Sequence, residues 1–134
     1  MIGPYRSTEI KLFYSLHSIA PQDVFEGYQA RIYHGERITF AVLEVAPNAA
    51  LPMHSHDHEQ VGFLAQGELT FCVDGERRTL RAGEGWVIPS NAPHDAVAGE
   101  AGAIVIETWA PPRSDFLSLE SRPVSAPRWP SAEH

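Results

Sequence analysis

The chain has 134 residues, 43% of them apolar and 20% charged, with 11 Pro and 10 Gly, which suits one compact domain and argues against global disorder. Its formal net charge of −7, from 10 Lys+Arg against 17 Asp+Glu, repels phosphate backbones and anionic lipid, so nucleic acid and membrane surfaces are poor partners. The longest apolar stretches, such as Ala103-Ile104-Val105-Ile106, are too short to cross a bilayer, no leader-like pattern is expected at the N-terminus, and the lone Cys72 excludes an intrachain disulfide and agrees with a reducing cytoplasm.

In chain order, residues 9–16 alternate roughly and predict an N-terminal strand, with an edge that can pair with a second subunit. Gln29 to His34 reads as a strand ending at Gly35-Glu36, and Ile38 to Val45 as a second that stops at Pro47-Asn48. Gln60 to Ala65 and Glu68 to Val73 flank Gln66-Gly67, and Asp74-Gly75 predicts a hairpin into Arg77 to Leu80. Trp86 to Ile88 runs into Pro89-Ser90-Asn91. His94 to Ala98 and Ala103 to Trp109, joined by Gly99 to Gly102, read as a further hairpin. No helical periodicity of helix length occurs before residue 110, so the chain is read as an all-β sandwich or barrel. After Pro111-Pro112, Ser114 to Leu119 predicts a short helix or turn capped by Ser114. A Pro-rich tail follows from about Arg122.

Seven histidines stand out, three of them within five residues: His54, His56 and His58. On a strand His54 and His56 share a face, Gln60 keeps that parity if the strand continues, and the turn at Asn91-Ala92-Pro93 can bring His94 beside them. Imidazole nitrogens with one oxygen donor, facing into a small barrel, suit a divalent transition metal. The competing interpretation is that these histidines are turn and surface residues. His58 has the parity of a fifth ligand or a rim residue, whereas Glu59 needs a bulge to reach the same face.

The spacing resembles the two motifs of the cupin family. Asn48, five residues, His54-Ser55-His56, three residues, Gln60, six residues and Gly67 parallel the first; Gly83, Pro89, Asn91, His94 and Ala98 parallel the second. The resemblance covers about residues 28–110 of one domain and implies a double-stranded β-helix (jelly-roll) barrel with a short Pro-rich extension over residues 111–134. It also implies a metal held by His54, His56, Gln60 and His94, with Zn, Ni, Mn, Fe and Co all compatible. Asn replaces Gly at 48 and 91, both turn positions where Asn best tolerates a left-handed backbone. Gln60 stands where the family carries Glu; as a neutral ligand it leaves the ion's full charge, which favours Lewis-acid chemistry over dioxygen activation.

Near the barrel's end, Glu107 and Trp109 share a face and precede Pro111-Pro112-Arg113. This segment resembles that of the small sugar-acid cupins of pectin degradation, with Glu107 where that group carries aspartate and Trp109 where it carries phenylalanine. The resemblance implies an enzyme that converts unsaturated uronates to linear keto sugar acids, with Glu107 as acid/base, Trp109 as a ring platform and Arg113 pairing with a carboxylate of the anionic sugar. It further implies a homodimer. Arg31, Tyr33 and His34 are weaker candidates, since Arg31 and His34 have opposite parity. The competing functions are another cupin enzyme, such as a dioxygenase or a polyketide cyclase, and a non-catalytic metal- or sugar-binding cupin.

Overall fold

The computed structural model describes residues 11–130. Eight strands form one antiparallel system: β1 (Gln22–Phe25), β2 (Tyr28–His34), β3 (Thr39–Val45), β4 (Ala50–His54), β5 (Glu59–Val73), β6 (Glu76–Arg81), β7 (Gly85–Ile88) and β8 (His94–Ala110). The order is β1-β2-β3-β8-β5-β6, with β4 also on β8 and β7 also on β5. This is the all-β jelly-roll barrel expected. Among the described residues no helix is long and apolar enough to cross a membrane.

Two long strands make the barrel. The N-terminal half of β5 pairs with β7 and with the C-terminal half of β8, while its C-terminal half pairs with β6 and the N-terminal half of β8. Register shifts between Leu64 and Gln66 and between Gly67 and Leu69 bend the pair at its middle. Gly67 and Gly102, both at positive φ, meet at this bend, and a Cβ on Gly67 would collide with the Gly102 carbonyl. Two predicted strands, Gln60 to Ala65 and Glu68 to Val73, are therefore halves of one. The predicted hairpin over His94 to Trp109 is corrected likewise: Gly99 to Gly102 lie within β8, and its halves find partners on other strands instead of each other.

The other turns follow their chemistry. Asp74 and Gly75 both have positive φ, as a two-residue hairpin between β5 and β6 requires, and Asn48 and Asn91 adopt the left-handed backbone expected of them. Alternation places Ala30, Ala41, Val45, Leu64, Leu69 and Ile88 in the barrel interior, all 2% exposed or less.

At the N-terminus, Lys11 to Ser15 carry no regular structure, and Leu16–Ser18 form one 3-10 turn. The predicted strand over 9–16 is thus not formed in its described part, and residues 9 and 10 lie outside the described residues. Tyr14 instead stacks on Tyr33 of β2 at 4.4 Å, an aromatic contact that needs no ladder of backbone bonds. At the other end Ser114–Ser118 form a second 3-10 turn whose cap position is Arg113, not Ser114. The tail packs back on the sheet: Arg31 donates to both oxygens of Ser125 at 3.0 Å, and the Arg128 amide to Glu44 at 2.8 Å. Arg31 itself is 2% exposed and paired with Glu44 at 2.8 Å, so it serves the outer wall and not the cavity.

Candidate metal centre

A cavity of about 280 Å³ opens inside the barrel. Its wall is largely apolar, from residues such as Leu43, Leu69, Phe71 and Val105, and its polar lining comes from His54, His56, His94, Gln60, Glu107 and Arg113. The histidines arrive from three places. His54 ends β4, His94 begins β8 and is its register partner, and His56 lies in the loop between β4 and β5. The strand parity invoked for His54 and His56 therefore gives way to a strand end plus a loop, with the same convergence. Ring centres lie 4.2 Å apart for His54 and His94, 4.9 Å for His56 and His94, and 5.8 Å for His54 and His56.

The backbone selects which nitrogen each ring presents. His54 Nδ1 lies 2.8 Å from the Pro52 carbonyl, His56 Nδ1 2.9 Å from that of His58, and His94 Nδ1 2.9 Å from that of Ala92. A carbonyl only accepts, so each Nδ1 carries the proton and each Nε2 presents a lone pair. One donor atom from each of the three rings lies within 4.8 Å of the others. His94 Nε2 is buried without a partner, and His56 Nε2 faces a second acceptor, Gln60 Oε1, at 3.0 Å. Converging lone pairs with no proton between them suit a cation, so this donor set fits a divalent transition metal with three imidazoles and an amide oxygen. Burial first, with Arg113 and the neighbouring rings adding to it, holds His94 down to about 4; burial and then Arg113 also lower His56. His56 and His94 are therefore neutral near pH 7, the state a metal ligand needs.

Gln60 is 6% exposed, and its amide bridges to the acid: Nε2 donates to Glu107 Oε2 at 2.8 Å. Trp86 Nε1 donates to the other oxygen, Oε1, at 2.9 Å. Burial pushes Glu107 up to about 8, against the lowering effect of these two neutral donors. Gly62, the register partner of Glu107, leaves room for the carboxyl; a Cβ there would strike the Glu107 side chain and the Ile106 carbonyl.

Trp109 lines the cavity but is only 5% exposed, with Phe116 edge-on at 5.2 Å and the Arg113 guanidinium 5.3 Å from its ring centre. Arg113 sits 4.1 Å over Phe116 and forks onto Asp115 at 3.0 and 2.9 Å, while its amide donates to Thr39 Oγ1. His58 stands outside the three-ring cluster; its carbonyl, not its imidazole, serves the site by orienting His56. Tyr33 and His34 do not line the cavity: Tyr33 stacks on Tyr14, and His34 Nδ1 lies 2.8 Å from Thr39 Oγ1. Trp86 and Gly62 were not singled out from the sequence. Trp86 shares parity with Ile88 in a short apolar strand, which marks a buried face but not its proximity to Glu107.

A jelly-roll barrel with a histidine cluster inside it defines a cupin, and the chain belongs to that family: the Cupin domain profile matches residues 41–109. Within the family it resembles the small single-domain cupins of the KdgF type. It is 37% identical over 65 residues to the pectin degradation protein KdgF of Dickeya dadantii (strain 3937), a match that covers 48% of this chain and spans 59% of that relative. Among solved structures it is similar to KdgF from Halomonas sp., with a TM-score of 0.74 and 31% identity over 80% of this chain and 99% of the other. An RmlC-like cupin from Shewanella frigidimarina NCIMB 400 superposes with a TM-score of 0.75 at 27% identity, over 80% and 96% of the two chains.

Proposed function

We propose that the protein is a metal-dependent enzyme that converts unsaturated uronates, the breakdown products of pectin or alginate, to linear keto sugar acids by ring opening. The observation that carries this is the contiguity of three lone-pair histidines, Gln60 and a buried acid in one cavity of sugar-ring size, linked through the two ends of the Gln60 amide. Likeness to a pectin degradation protein supports the substrate class.

His54, His56 and His94, with the Gln60 carbonyl, would hold the ion, which when bound supplies Lewis acidity at a substrate oxygen. The remaining work falls to the chain. Glu107, near 8 and thus both donor and acceptor around neutral pH, takes the proton of the anomeric hydroxyl as the C1–O5 bond opens to an aldehyde and an enolate. It then delivers that proton to C4 as the enolate becomes a ketone, so the product is an isomer of the substrate. Trp86 and Gln60 position the carboxyl, and their hydrogen bonds stabilise its charged form. Arg113 offers the guanidinium edge not held by Asp115 to the uronate carboxylate. The apolar remainder of the wall, with Phe25 and Met53 exposed at its rim, favours as a second reading a cupin enzyme for a less polar ligand, as in polyketide cyclisation. The proposal extends to a homodimer in the cytoplasm, which solution scattering contradicts if it gives a monomeric mass.

Proton NMR of 4,5-unsaturated galacturonate or mannuronate tests the reaction. Loss of the ring signals is expected to accelerate with metal-loaded protein and to fall to the uncatalysed rate with His56→Ala. No acceleration with either uronate overturns the substrate class.

A further inference from the structure

The geometry assigns Trp109 a second role, in which its indole N–H recognises a carboxylate oxygen of the bound sugar acid. This rests on the sugar-acid reading above and deepens it. Four buried side-chain polar atoms lack a partner among the described residues: Arg31 Nε, His58 Nδ1, His94 Nε2 and Trp109 Nε1. Two of these belong to cavity-lining side chains that are at least nine-tenths buried, and they have opposite character. His94 Nε2 is an acceptor and belongs with the metal. Trp109 Nε1 is a donor only, so whatever satisfies it brings an oxygen.

A buried N–H without a partner is costly and rare in a folded protein, and because Trp109 lines the cavity, a ligand bound there can supply the missing acceptor. The charge around the indole narrows that ligand. The Arg113 guanidinium stands 5.3 Å from the ring centre with one edge held by Asp115 and the other open, so a neutral donor and the open edge of a cation share one wall, a pairing that favours an anionic oxygen over a hydroxyl. The same packing revises the platform role expected from the sequence. With Arg113 over the ring, Phe116 edge-on to it and only 5% of the residue exposed, no open face is left for a sugar ring to stack on. Trp109 therefore acts as a hydrogen-bond donor in the wall.

Indole ¹H–¹⁵N resonances of the metal-loaded protein read this directly. The chain has three tryptophans, and the Trp109 signal is identified by its contacts with the Phe116 ring. Saturated galacturonate is expected to move that signal downfield, and neutral galactose to leave it in place. Trp109→Phe, which keeps an aromatic ring and removes the donor, is expected to raise KM for the unsaturated uronate roughly tenfold or more, with the loss falling more on KM than on kcat. The inference is overturned if galacturonate binds without moving the Trp109 indole, or if galactose moves it equally. If no uronate binds or reacts with the wild-type protein, the sugar-acid reading fails and this inference fails with it; if uronate reacts while the indole stays still, only this inference fails.

Discussion

Gln60 Nε2 donates to Glu107 Oε2 at 2.8 Å across the β5–β8 pair, although the two residues are 47 positions apart in sequence. The other end of the same amide, Oε1, faces His56 Nε2 at 3.0 Å. A glutamate at position 60 would set a second carboxyl against the buried Glu107. The amide instead offers one acceptor to the histidine side and one donor to the acid, so in the proposed mechanism metal ligation and proton transfer would share a single side chain.

Removal of the Trp86 donor tests how the acid is tuned. Trp86→Phe keeps an aromatic ring beside Phe71 and takes away the indole N–H that favours the charged form of Glu107. The Glu107 pKa is expected to rise further, so the acid-side inflection of the rate profile moves to higher pH. A pH–rate profile with an unmoved inflection separates Trp86 from the acid.

Stability of the metal-free protein carries the same acid's signature. Burial pushes folded Glu107 from 4.5 up to about 8, so the folded state keeps a proton that the unfolded chain releases between those values. Its contribution is complete below about pH 4.5 and is lost as pH rises through 8. His94, held down to about 4, acts in the opposite sense, and its effect is confined below pH 6.5. Between pH 6.5 and 8 the unfolding free energy read from urea titration is therefore expected to fall, by at most about 1.4 kcal/mol per pH unit, and to stay level in Glu107→Gln.

Gly62→Ala places a methyl group against the Glu107 carboxyl and the Ile106 carbonyl. Overpacking of this kind costs about 1–3 kcal/mol, and the displaced acid should lose most of its turnover. Thermal denaturation and uronate NMR on the same sample check both halves.

A metal held as proposed by His54, His56 and His94 would stabilise the fold by mass action. A hundredfold excess over the dissociation constant contributes about 2.7 kcal/mol, a rise in Tm on the order of 10 °C for a chain of this size. Addition of Ni or Zn after chelation should restore that rise in the wild type and have little effect in His94→Ala, with one ion per chain by elemental analysis.

The convergence of His54, His56 and His94 was legible because the three, with Gln60, keep a characteristic spacing. The elements that carry them were less so. A glycine at positive φ marks a turn and a strand bend alike; only pairing between distant segments makes Gly67 and Gly102 the bend of two long strands instead of hairpin tips. β1, with four residues, is too short to show a pattern, whereas residues 11–15 alternate yet find no strand to pair with. Trp86 escaped notice for a related reason. Alternation assigns it a face, but its place beside Glu107 depends on β7 and β8 both pairing with β5.

The most direct measurement combines metal analysis and uronate turnover in one preparation of Glu107→Gln. The substitution keeps the shape of the site and leaves the three histidines untouched, so the variant is expected to hold one metal ion per chain and to lose ring opening by at least about a hundredfold. Full metal occupancy with wild-type turnover would remove Glu107 from the chemistry and contradict the proposed mechanism.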